Sequence, residues 1–110
     1  MTPAQADLVG RVRALLADEP VTREVPMFGG RSFMVDEKLL VSALKEGGLL
    51  VRVAAAEHED LLRRPGAAQA TMGPERTMGP GWIEVASEAL TDDGLASWLH
   101  VALAYNRTGS

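Results

Sequence analysis

Apolar positions change their spacing twice along this chain, and each change marks a new kind of element. In the first stretch Leu8, Val12, Leu15 and Leu16 recur at helical spacing and fall on one face. Thr2 is placed to cap this helix, Pro3 suits its first position, and Gln5 completes a capping box. Glu19-Pro20 ends it. From Val21 to Val53 the runs shorten to strand length, predicting strands over about 22–28, 31–35, 39–44 and 49–53. Gly29-Gly30, Asp36-Glu37 and Glu46-Gly47-Gly48 supply the turns, and such short connections force antiparallel neighbours, hence a meander. In the fourth strand Leu49, Val51 and Val53 share one face, with Leu50 and Arg52 on the other. In the second strand Phe33 and Val35 oppose Ser32 and Met34, so both faces of the sheet are expected to be partly covered.

Beyond Val53 the spacing becomes helical again. Glu57 to Arg64 reads as a short helix with acids first and arginines last, as the helix dipole favours, and Pro65-Gly66 stops it. Residues 67–81 read as a loop rich in Gly, Pro and Ala, in which Thr71-Met72-Gly73-Pro74 is echoed by Thr77-Met78-Gly79-Pro80. Trp82-Ile83-Glu84-Val85 forms a fifth strand. Thr91-Asp92-Asp93 caps a last helix bearing Leu95, Trp98, Leu99, Ala102 and Leu103 on one face. The expected fold is α+β: an antiparallel sheet of about five strands, a four-strand meander plus one. An N-terminal, a short middle and a C-terminal helix pack on it.

Length and composition narrow the classes. At 110 residues the chain is read as one domain over residues 1–108, with Gly109-Ser110 set aside as a cloning remnant. Hydrophobic residues make up 46%, enough for a core, but only five aromatics are present, so Leu, Val and Ala must fill most of it. Without cysteine there are no disulfides and no thiolate metal sites. No signal peptide and no membrane-length apolar run are visible, so a cytoplasmic location and no membrane partner are expected. A net charge of −4 gives no global attraction to nucleic acid.

Candidate chemistry is sparse. Arg52 stands mid-strand between valines, either as an anion or partner contact or as a structural arginine paired with Glu84, a carboxylate that interrupts another apolar strand. Phe28-Gly29-Gly30 offers bare backbone N–H groups to an anion, yet lacks the lysine, the Ser/Thr and the helix start of a phosphate loop; a tight hairpin is the favoured reading. Glu57-His58-Glu59-Asp60 has ligand-type residues, but Leu62 stands where a zinc-protease helix needs its second histidine, so a solvated helix start is favoured. His100 is read as structural. Met72, Met78 and Trp82 border the glycine-proline loop, as a partner-binding surface or as core. Ser32, Ser42, Ser87 and Ser97 are scattered, and no nucleophile elbow or nucleotide fingerprint appears. No cofactor and no metal are expected.

Met27-Phe28-Gly29-Gly30, then Phe33, Leu50, Arg52 and finally Met78-Gly79 and Trp82 resemble, in order and spacing, the N-terminal domain of the TfoX (Sxy) family of bacterial competence regulators, from about Val21 to Trp98. Pro80-Gly81 before Trp82 departs from the family's commoner direct Met-x-Gly-Trp junction. The resemblance implies a stand-alone copy of a domain that the family's best-known members join to a helical C-terminal domain, acting with the cyclic-AMP receptor protein at promoters. It supplies no catalytic residues. The expected function is a non-enzymatic regulatory or protein-interaction module, a monomer or homodimer, whose unidentified protein partner extends to the transcription machinery. Arg52, Glu84, Met78 and Trp82 are its expected binding residues, and Met27, Phe28, Gly29, Gly30, Phe33 and Gly79 its structural motif. The alternatives are a nucleic-acid-associated module, if Arg11 and Arg13 cluster with Arg63 and Arg64, or a small ligand-binding domain or enzyme with its site near Arg52.

Overall fold

A computed structural model of the chain describes residues 2–19, 22–27, 30–71 and 76–108, with the side chains of Thr22 and Met27 excepted. Helix α1 spans Pro3–Leu15; strands β1 (Thr22–Met27), β2 (Gly30–Val35), β3 (Lys38–Leu44) and β4 (Leu49–Arg52) follow. A 3-10 turn over Ala55–Glu57 leads into the four-residue α2 (His58–Leu61), then β5 (Ala67–Gln69), β6 (Trp82–Val85) and the long α3 (Asp92–Thr108). The strands form one sheet in the order β1-β2-β3-β4-β6-β5, with every neighbour antiparallel. The predicted α+β architecture is therefore present, with one strand more than expected. The extra strand is β5, inside the segment read as loop. Its Ala67-Ala68-Gln69 has no apolar alternation; its place comes from pairing with β6 at the sheet edge.

Alternation along paired strands assigns the two faces. Phe33, Val41, Ala43, Leu49, Val51, Ile83 and Val85 form one face and join a buried cluster with Leu8, Val9, Val12 and Leu16 of the α1 segment and Leu95, Trp98, Leu99 and Ala102 of α3. Burying such side chains stabilises by about 1.5–3 kcal/mol each, which is what seats both helices on that face. Leu50, Arg52, Trp82 and Glu84 belong to the opposite face. There Ser32, Ser42 and Leu50 are also buried, and the Ser32 hydroxyl donates to Ser42 Oγ at 3.0 Å.

Local details depart from the sequence reading where a tertiary partner competes. Thr2 caps α1 as expected, its Oγ1 accepting the Gln5 N–H at 3.1 Å. The other half of the capping box does not form, because the Gln5 side chain donates instead to the Ala43 carbonyl on the sheet at 2.9 Å. Leu15 turns to solvent at 46% exposed, and Val9 takes its place in the buried arc. At the start of α3 the Thr91 Oγ1 accepts the Gly94 N–H. Gly30 is not a turn residue: it opens β2 and pairs with Met27. What it needs is space, since a Cβ there would lie 2.4 Å from the Ala43 carbonyl oxygen. Phe28, Gly29 and Met72 lie outside the described residues. The Asp36-Glu37 turn is confirmed, with both residues in the left-handed region at φ 55° and 65°.

Candidate functional site

The site sits where β4 ends and β6 begins, beside the loop that precedes Trp82. In the β4–β6 ladder Arg52 pairs with Trp82 and Leu50 with Glu84, so all four share one face. Their side chains do different things. The Arg52 guanidinium lies over the Trp82 ring, 4.8 Å from its centroid, and over the ring of Tyr105 from α3 at 5.2 Å. Its Nη1 donates to the carbonyls of Val53 and Gly81, each at 3.1 Å. Two carbonyls and two aromatic faces thus offset the desolvation of this half-buried cation. The expected partner Glu84 is not among them. It is exposed, and Arg52 makes no ion pair among the described residues. The diagonal from Arg52 to Glu84 competes with two carbonyls closer to the guanidinium, and the carbonyls win. Glu84 instead borders a separate open depression of about 490 Å³ with Lys45, Glu46 and Glu88.

Gly81 is the hub. Its φ is +96°, and a Cβ on it would stand 2.1 Å from Arg52 Nη1 and 2.9 Å from the Val53 oxygen. Its carbonyl also accepts the Val53 N–H at 2.9 Å, extending the ladder past the strand end. Its own N–H donates to Nδ1 of His58 at 2.9 Å. That fixes the tautomer. With Nδ1 accepting, Nε2 carries the proton and donates to Gln69 Oε1 at 2.8 Å. Gln69 Nε2 in turn donates to the Gly79 carbonyl at 3.0 Å, with longer contacts to the Ala70 and Trp82 carbonyls. The loop closes on itself through Met78 N–H to Ala70 O and a Thr71–Thr77 bridge, so the two echoed threonines face each other. Gly79, at φ +87°, has nothing among the described residues within 4 Å of its Cβ direction.

Of the sequence-predicted residues, Arg52 and Trp82 are brought together, Gly79 joins them through Gln69, Met78 pairs with Ala70 in the adjoining loop, and Glu84 is not part of the site. Met78 and Trp82 are half-buried and stand outside the main core cluster. Phe33 is fully buried in that core. The reading of 57–60 as a solvated helix start holds for Glu57, Glu59 and Asp60, which are exposed, but not for His58, which is 5% exposed and structural. Gly81 and Tyr105 were not legible as partners of Arg52, nor His58 as a partner of Gly81, because the members of each pair lie far apart in sequence without a motif to flag them; Gln69 joins through His58. The one trace was the inserted Pro80-Gly81. His100 is exposed on α3.

Of the four arginines weighed for a basic patch, Arg11, Arg13 and Arg64 are engaged locally, and Arg63 is exposed. Arg11 donates to the Leu90 carbonyl at 2.6 Å and lies 3.5 Å from Asp92. Arg13 makes a two-point contact with Glu24 at 2.6 and 2.8 Å. That hydrogen bond holds the Glu24 carboxyl below its usual range, against burial, and raises the Arg13 guanidinium further. Arg64 lies over the Trp98 ring at 5.1 Å and donates to Ser97. Among the described residues no group of three or more His, Cys, Asp or Glu could hold a metal ion, and no helix is long and apolar enough to cross a membrane.

A comparison with curated proteins returned no match. The TfoX N-terminal domain matches residues 14–105, a span that holds the whole sheet together with Arg52, His58, Gln69, Gly81, Trp82 and Tyr105. The chain belongs to the TfoX N-terminal domain family.

Proposed function

We propose that the chain is a non-enzymatic regulatory module of the competence-regulator type, working in the cytoplasm through contact with another protein. The observation that carries this reading is the cluster of Arg52 on Trp82 and Tyr105: a fixed cation set against two half-buried aromatic rings at one end of the sheet. Aromatic residues and arginine are the types that dominate protein–protein hot spots. Family membership at the level of the TfoX N-terminal domain supports a regulatory role.

The nucleic-acid alternative needs a patch of cations free to meet phosphates. Of the four arginines such a patch would draw on, Arg11, Arg13 and Arg64 are held by groups of the same chain and only Arg63 is left exposed, which favours the protein partner. The test immobilises the parent chain and a Trp82→Ala variant in lysate of the source cells, with and without nuclease. The proposal expects a retained protein that nuclease leaves in place and Trp82→Ala loses. Retention abolished by nuclease, together with submicromolar and steeply salt-dependent binding of random duplex DNA in a mobility shift, would establish the alternative instead.

A further inference from the structure

We propose that the Nε–Nη2 edge of Arg52 is a carboxylate-binding site, built to receive one Glu or Asp side chain of a protein partner. The inference rests on the protein-contact reading above and names the chemistry of the contact.

A guanidinium has five N–H donors in a planar fork. Two of them belong to Nη1, and the Val53 and Gly81 carbonyls occupy that nitrogen. Nε and Nη2 have no hydrogen-bond partner among the described residues. They also reach solvent, because no buried side-chain nitrogen or oxygen there lacks a partner. Nε–H and Nη2–H are parallel and side by side, the arrangement that meets both oxygens of one carboxylate. The edge is thus open while the rest of the group is fixed.

Fixation is what separates this arginine from an ordinary surface one. A free arginine side chain loses rotamer freedom when it binds, and that loss weakens the contact. Here the carbonyls of Val53 and Gly81 set the position of Nη1, and the Trp82 and Tyr105 rings set the plane. The freedom is already lost in the folded chain. Gly81 takes part as well, since only a residue without Cβ lets its carbonyl approach Nη1 so closely. His58 and Gln69 hold the Gly81 peptide and the Gly79 carbonyl in turn.

Charge selects the ligand. The cluster contributes one positive charge, which matches one carboxylate. A phosphate or phosphorylated side chain carries close to two negative charges and is held best by several cations. Half-buried Trp82 and Tyr105 around the guanidinium suit an acidic residue flanked by apolar ones.

The experiment follows the arginine Nε–Hε resonances of the ¹⁵N-labelled chain during titration with the blocked peptide acetyl-Leu-Glu-Leu-amide. Its partner peptide acetyl-Leu-Gln-Leu-amide and inorganic phosphate serve as comparisons. The Arg52 Nε–Hε signal is expected to move downfield with the Glu peptide, with an affinity in the millimolar range, and to stay in place with the Gln peptide. Arg52→Lys keeps the charge and loses the fork; it should weaken the Glu peptide's effect on the Trp82 indole signal about tenfold, which is ~1.4 kcal/mol. An Arg52 signal that ignores the Glu peptide up to about 10 mM, or answers both peptides alike, overturns the proposal. A larger response to phosphate than to the Glu peptide overturns the carboxylate assignment. A captured partner that Trp82→Ala loses but Arg52→Lys retains would leave the protein-contact reading standing while this site falls.

Discussion

Replacing Gly81 with alanine separates two costs that the loop before Trp82 carries together. At φ +96° an L-residue is strained by roughly 1–2 kcal/mol. The new Cβ would also sit 2.1 Å from Arg52 Nη1, at the end of a flexible chain, and 2.9 Å from the Val53 oxygen, in backbone. Arg52 escapes the clash by swinging away, so the second cost is bounded by what it then loses. That is two hydrogen bonds from a charged donor, about 2–3 kcal/mol after partial resolvation, and ring contacts of about 0.5–1 kcal/mol. The total for Gly81→Ala is about 3.5–6 kcal/mol, a large share of the roughly 5–15 kcal/mol typical of a domain. Gly79 is the internal control. Its φ is +87°, but nothing among the described residues lies within 4 Å of its Cβ position. Gly79→Ala should therefore cost only the backbone strain, about 1–2 kcal/mol. Urea denaturation followed by circular dichroism gives both values, and thermal melts should show Gly81→Ala lower by something on the order of 15 °C. Equal losses at the two glycines would show that Arg52 contributes nothing at this loop, and a loss below about 1 kcal/mol at Gly81 would refute the geometry itself.

Three further expectations follow from the same contacts. His58→Leu leaves the buried Gly81 N–H without an acceptor and Gln69 Oε1 without its donor, so stability should fall by about 2–4 kcal/mol; a double-mutant cycle with Gln69→Leu should show strong coupling, and additivity would disprove the network. Glu37→Gly relieves a left-handed residue at φ 65° and gives up only an exposed ion pair with Arg23, so denaturation midpoints should show a gain of up to about 1 kcal/mol; a loss would mean the turn is not strained. Glu24→Gln tests pH linkage. Because Arg13 lowers the folded-state pKa of Glu24, the parent's advantage over the variant is present above the unfolded carboxylate value of about 4.3 and is lost as pH falls through the lower folded value. Melting both proteins between about pH 7 and pH 3 should show their difference shrink with acid; a constant difference would place the effect outside this carboxyl. The pair is solvent-screened, so salt should shrink it too.

Much of the fold was readable because its signals are local. Helical spacing marks α1 and α3, alternation marks β2 to β4, and the Asp36-Glu37 and Gly47 turns mark the meander. The strand β5 was not readable, since two alanines and a glutamine carry no periodicity and acquire strand form only by pairing with β6. Leu15 and Val9 exchanged roles because helical spacing defines an arc of about a hundred degrees, and the sheet beneath it selects which side chains fall inside.

The candidate site divides along the same line. Sequence alone singled out Arg52, Met78, Gly79 and Trp82, because a charge between valines and a glycine-rich junction are exceptions to local pattern. It could not say what Arg52 touches. Glu84 was the chemically sensible partner and shares its face, yet the guanidinium rests on two carbonyls and two rings. Carbonyls leave no mark in a sequence, since every residue has one. Only the packing of β4 against β6, with α3 passing beside them, decides which come within hydrogen-bond distance. Likewise His58 reads as part of a charged, solvated helix start until the fold turns it inward onto the N–H of Gly81. Local pattern set the elements and the odd residues out; long-range contact, which costs chain entropy and is set by the whole core, chose their partners.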